Sequence, residues 1–239
     1  MAVRGDCAAS ALMVMRQRYG ANAMERWMKI NMNRYLSGRS VEQKKEVPLA
    51  LVENQQYIHY GKGSVTMYAL QDYLGEKQLN GALKQYVQAV AFQNPPYTNS
   101  PEFVGYIRRA APDSLQPLLT DLFDRITLYD NRVTDATAKK LPDGRYQVDM
   151  TVTSSKFYSD SLGTQRPAPI RETLPVAVFP ETGKDKRPPA PLLLVKQRLH
   201  PGSNKLRFIV AQKPANVAVD PYHELVDRDL EDNRKDVKL

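Results

Sequence analysis

Tyr57-Ile58-His59-Tyr60-Gly61-Lys62-Gly63-Ser64 sets two phenols, an imidazole and an amine beside two glycines, directly ahead of the apolar run Val65 to Leu70. Glycine allows a tight backbone turn, and a helix starting there would offer free N–H groups and the positive end of its dipole next to Tyr60 and Lys62. A corner of that kind can receive a carboxylate or an oxyanion. Tyr60 is the candidate hydrogen-bond donor, and its plain alternative is a packing tyrosine whose hydroxyl meets a backbone carbonyl. Lys62 is the candidate substrate-binding residue. It either positions the segment or meets a carboxylate, and a solvated lysine is the alternative. Ser64 has no histidine and acid at a recognisable spacing, so a serine nucleophile is not expected.

Metal chemistry finds little to work with. The chain has one cysteine, Cys7, and three histidines, His59, His200 and His223, whose spacing matches no local ligand motif. No metal site is expected from these residues, and no cofactor is expected on this chain. A single cysteine also excludes an intrachain disulfide, which leaves the compartment open.

The elements around the Tyr60 segment are read from periodicity. Residues 10–19 form a compact apolar run ended by Gly20, a natural helix C-cap. A second helix from about Asn22 would bury Met24, Trp27, Met28 and Tyr35. Residues 37–46 are polar and read as a surface connection. Pro48 bounds an extended piece before the Tyr60 corner, and a helix follows over 64–74. Leu79, Leu83, Tyr86, Val87 and Val90 make an amphipathic stripe, stopped by Pro95-Pro96. Ser100-Pro101-Glu102 starts a helix with Phe103, Ile107 and Ala110 inward, and Asp113-Ser114-Leu115-Gln116 starts another.

The period changes after Tyr129-Asp130-Asn131-Arg132. Tyr146 to Thr153 alternates apolar and polar, and Leu141-Pro142-Asp143-Gly144 supplies a turn, so 133–140 and 145–157 read as a hairpin. Further strands are expected over 174–179, 192–199, 206–211 and 217–219. Loops rich in Pro, Gly and Lys, such as 181–191, separate them, and the charged 227–239 segment should hang loose.

At 239 residues with 42% hydrophobic content, the chain can build a real core in one large domain or two small ones. Its 34 basic and 26 acidic residues give a net charge of +8, but Lys and Arg are scattered and no nucleic-acid motif is present, so no nucleic acid is expected as a partner. There is no run of about 18 apolar residues and no signal-peptide pattern, so no membrane segment is expected and the chain reads as soluble.

The Tyr-x-Lys-Gly core at Tyr60 to Gly63, followed by an apolar helix and Gly75, resembles the segment of aminopeptidase N-like zinc metallopeptidases (gluzincins) that carries their oxyanion-stabilising tyrosine. The resemblance continues through Asp72-Tyr73-Leu74-Gly75, Phe92 to Thr98, Pro112 to Leu115, Asp121-Leu122-Phe123, Ile126 to Arg132, Asp220-Pro221-Tyr222-His223 and Leu225-Val226-Asp227-Arg228, in the expected order. It implies an α+β fold. Residues 1–129 would be a helical array, the end of a gluzincin catalytic domain, 130–226 a small antiparallel β-sandwich, and 227–239 a charged tail.

The resemblance also implies that Tyr60 is the catalytic oxyanion donor of an enzyme that uses zinc and hydrolyses N-terminal residues from a peptide substrate. The family's His-Glu-x-x-His is absent from this sequence, and ungapped counting back from Ser10 puts Arg4 where the family has its glutamate ligand. The expected reading is thus the C-terminal portion of such an enzyme, inactive alone. A non-catalytic peptide- or protein-binding module is the alternative.

Overall fold

The computed structural model describes residues 2–183 and 188–239. Met1 and four residues of the 181–191 loop, 184–187, lie outside the described residues. The fold is α+β, with the helices first in the chain and two four-stranded antiparallel sheets after them. The chain divides into two compact units. One comprises the chain up to Met15, Ile30–Thr127 and Tyr158–Gln165, and the other Arg16–Lys29, Leu128–Phe157 and Arg166–Leu239. No helix among the described residues is long and apolar enough to cross a membrane.

The helices are α1 (Ala2–Tyr19), α2 (Met24–Val41), α3 (Gly63–Tyr73), α4 (Glu76–Val90), α5 (Ser100–Ala110) and the short α6 (Gln116–Leu119). Two of them adjoin π-helical turns: Tyr57–Lys62 leads into α3, and Thr120–Asp124 follows α6. Gly20, at a φ of +84°, ends α1 as expected. On α2 the buried line is Met24, Met28, Met32 and Tyr35, all fully buried, while Trp27 is 38% exposed. Those four lie at i, i+4, i+8 and i+11 and make one straight stripe, from which position 27 is rotated away. The same geometry corrects α4, where Leu79, Ala82 and Tyr86 are buried and Val87 faces out. The N-cap of α5 is Asn99, one residue earlier than expected. Its side-chain oxygen accepts the amide of Glu102 at 2.9 Å, which leaves Ser100 and Pro101 inside the first turn. α3 is buried on all sides through Gln71, as its apolar composition requires.

The strands are β1 (Ile126–Lys140), β2 (Tyr146–Ser159), β3 (Gln165–Pro167), β4 (Thr173–Phe179), β5 (Leu193–Arg198), β6 (Gly202–Val210), β7 (Asn216–Val219) and β8 (Arg234–Asp236). One sheet runs β1-β2-β3 with β6 also paired to β2, and the other runs β5-β4-β7-β8. The β1-β2 connection closes as a turn, with the Leu141 amide on the Arg145 carbonyl at 2.7 Å and Gly144 at a φ of +88°. In β2 the buried positions alternate from Val148 through Met150 and Val152, then continue in the same phase onto Ser154 and Lys156.

The charged C-terminal segment is held rather than loose. Asp227 is 1% and Asn233 2% exposed, and β8 adds to β7 with Ala218 opposite Arg234 and Val217 opposite Lys235. Backbone pairing outweighs local polarity there, because β7 would otherwise leave its amides and carbonyls unpaired.

Candidate functional site

The Tyr60 segment is not a glycine corner. Gln55 opens it, its carbonyl accepting the amides of Ile58 and His59 at 3.1 and 3.3 Å. The π-turn then runs straight into α3, Lys62 and Gly63 both having ordinary right-handed helical angles and the Gly63 amide bonding back to the Ile58 carbonyl. The free N–H groups therefore lie at the start of the π-turn, not beside Tyr60 and Lys62. Close packing explains at least one of the two glycines. A Cβ on Gly61 would stand 3.0 Å from both the Cβ and the amide nitrogen of Tyr35, and 3.1 Å from the carbonyl of Asn31, so the π-turn lies directly on the backbone of α2. From the other side, Gly38 of α2 makes room for Tyr57, whose Cβ would be 2.3 Å from an added Cβ.

Tyr60 comes out half-buried on this turn. The His59 ring meets it edge-on at 5.3 Å, the Arg34 guanidinium lies 6.0 Å from its ring centroid, and the Ser64 hydroxyl donates to its carbonyl at 2.6 Å. Its own hydroxyl has no hydrogen-bond partner among the described residues. A phenol with an unengaged O–H at a partly exposed position keeps that donor for a ligand, whereas a packing tyrosine would have spent it. His59 itself is buried.

Lys62 points the other way. It is 1% exposed, and its ammonium donates to the carbonyl of Arg125 at 3.0 Å and sits 5.9 Å from the centroid of the Tyr35 ring. Burial draws its pKa down to about 8, against the fields of Glu46 and Asp121, which favour the charged form. Behind it lies a network that sequence reasoning missed. The Tyr35 hydroxyl donates to one carboxylate oxygen of Glu46, and Arg39 Nε meets the other at 2.5 Å and reaches the Ser159 hydroxyl at 2.8 Å. Tyr57 stacks on Tyr35 with centroids 5.9 Å apart, and burial aided by Glu46 pushes its phenol up to about 12. The sequence signal was a glutamate just before Val47-Pro48 at the end of a polar stretch, which by itself reads as solvated.

The other histidines stay away from chemistry of this kind. His200 is exposed, its backbone engaged with the Asn204 amide side chain. His223 is 5% exposed at a φ of +54°, and burial pushes its imidazole down to about 4, so it is neutral at physiological pH. Among the described residues no three His, Cys, Asp or Glu side chains are placed to hold a metal ion. No protein-family model matches the chain, and no curated protein is found as its relative.

Two polar clusters lie in the sheet-bearing unit. The Lys156 ammonium contacts both oxygens of Glu172 at 2.9 Å with both side chains buried, and the Tyr129 hydroxyl donates to the same carboxylate. Asp227 accepts the backbone and side-chain amides of Asn131 at 3.0 and 2.9 Å, yet burial still raises its carboxyl to about 7. On the β1-β2-β6 sheet a polar groove of ≈ 550 Å³ is lined by Asp135, Asp149, Thr151, Lys205 and Arg207 among others.

Proposed function

We propose that this chain is the C-terminal portion of an aminopeptidase N-like zinc metallopeptidase, combining the end of a gluzincin-type catalytic helical array with a β-sandwich. Its substrate would be a peptide, cleaved after the N-terminal residue. The observation that carries this reading is the unengaged hydroxyl of half-buried Tyr60. It is presented by a π-turn, a form that recurs at functional sites. Tyr60 donates a hydrogen bond to the oxyanion that forms when the peptide carbonyl is attacked, an interaction realised only as charge develops.

Zinc supplies water activation in the family that the chain resembles. The residues described here do not fit that ion: His223 is buried and His200 faces solvent beside Asn204. The metal ligands and the general base would therefore lie outside this sequence, and Tyr60 alone cannot activate water.

Joining the chain to a catalytic segment bearing His-Glu-x-x-His tests the reading. In that enzyme Tyr60→Phe lowers kcat by about 10²-fold or more, the scale of a lost oxyanion donor. An unchanged kcat overturns it.

A second reading, a peptide- or protein-binding module, draws on the groove of ≈ 550 Å³ with Lys205 and Asp135 on its walls. Amide shifts confined to that groove on titration with mixed-charge peptides would favour it.

A further inference from the structure

We propose that Lys62 is a positioning residue for Tyr60: its buried ammonium, bound to the carbonyl of Arg125, pins the π-turn so that the phenol is held outward with its hydroxyl unspent. The inference rests on the reading of Tyr60 as the oxyanion donor and adds how that donor is aimed.

Residues two apart on a helical turn face nearly opposite ways, so drawing position 62 inward turns position 60 outward. Tyr60 has no anchor at its hydroxyl end among the described residues, and its ring is set by the turn and by His59 at its edge. The turn is fixed where Lys62 ends. Arg125 is the extended residue that closes the second π-turn, Thr120–Asp124, so the 3.0 Å bond from Nζ ties one π-turn to the other at a helix C-terminus, where a cation is favoured.

From α2, Tyr35 presents its ring face and Arg39 its charge. Glu46 lies on the segment after α2, and Asp121 on the second π-turn. The two acids offset the desolvation of the ammonium and Arg39 opposes it, which leaves the amine able to lose its proton just above neutrality. A methionine would fill the same volume without that cost, so space-filling alone does not call for a lysine here.

The test uses the intact chain with ¹³C-labelled tyrosine rings, the Tyr60 signal being assigned through Tyr60→Phe. Between pH 6.5 and 9 the Tyr60 ring signal of the unaltered chain should shift with one midpoint near 8. In Lys62→Met that midpoint should vanish and the signal should start from a different position, while the thermal unfolding midpoint is not lowered. A Tyr60 signal that is the same in both proteins overturns the proposal. So does the absence of any midpoint near 8 in the unaltered chain, a result that does not depend on the variant folding. The readout contains no substrate, so it separates from the catalytic reading. A Tyr60 signal that follows Lys62, together with a Tyr60→Phe enzyme of full kcat, would keep the positioning and remove the oxyanion role.

Discussion

Gly61 lies against the backbone of Tyr35, where a methyl would be an unusually tight fit: a Cβ at position 61 would be 3.0 Å from the Tyr35 amide nitrogen. Backbone cannot swing aside as a side-chain tip can. This contact brings the Tyr60 turn onto α2, close enough for Tyr35 to stand between Lys62 and Glu46.

Gly61→Ala is therefore expected to destabilise the chain by about 1–3 kcal/mol, the cost of overpacking, although alanine is the better helix former. Gly81 on α4 is the control, because an added Cβ there meets nothing within 4 Å. Gly81→Ala should stabilise by up to about 1 kcal/mol. Urea denaturation of the two variants measures both, and equal effects would remove the close-approach explanation.

Tyr60→Phe and Tyr35→Phe should separate sharply. Removing a hydroxyl that has no partner among the described residues should change stability by less than about 0.5 kcal/mol. Removing the Tyr35 hydroxyl takes a donor from a buried carboxylate and should cost about 1–3 kcal/mol. A Tyr60→Phe loss as large as that of Tyr35→Phe would mean that the Tyr60 hydroxyl is engaged in the folded chain.

Two buried groups in the sheet-bearing unit pull the pH dependence of stability in opposite directions. Asp227 titrates near 7 when folded and near 3.8 when unfolded, so between those values the folded state holds the extra proton and stability falls as pH rises. His223 titrates near 4 when folded and near 6.5 when unfolded, so the unfolded state holds the extra proton and stability rises over that window. The two slopes oppose each other from about pH 4 to 6.5. Asp227→Asn should expose a rising slope and His223→Gln a falling one. Unfolding free energies measured from pH 4.5 to 7.5 decide this, and parallel profiles for the two variants would refute the assignments.

Lys156 and Glu172 should behave as a buried ion pair. Lys156→Met strands a carboxylate that is 8% exposed, and the expected loss is about 3–5 kcal/mol. Adding Glu172→Gln should recover a good part of it, because the uncompensated charge is then gone. Additive losses in the double variant would contradict the pairing.

The switch of period near Tyr129 was readable in the sequence because it is local: helical spacing before it, strict alternation after it. The same alternation misleads once it reaches Ser154 and Lys156. Those residue types read as solvent-facing, but the pleat sends them inward, where Asn131 and Glu172 receive them. Trp27 and Val87 mislead in the opposite sense, since an apolar side chain is free to lie at the surface. Gly61 and Gly63 were legible as special positions, but a glycine for turning and a glycine for close approach look alike in sequence. The candidate site was half visible. Tyr60 and Lys62 stood in one segment, whereas Tyr35, Glu46, Asp121 and Arg125 come from elements far apart in the chain and meet only on folding.

Strand β8 is three residues long and carries Arg234, Lys235 and Asp236. It covers the hydrogen-bonding edge of β7, whose Val217, Ala218 and Val219 are all buried. A short charged strand on the rim is a poor template for another chain, whereas a bare Val-Ala-Val edge is a good one. Arg234 to Asp236 thus cover an edge that would otherwise be a template for pairing. Removing Arg234 to Asp236 would leave much of the fold's hydrophobic content in place and still bare a Val-Ala-Val edge open to pairing with another chain.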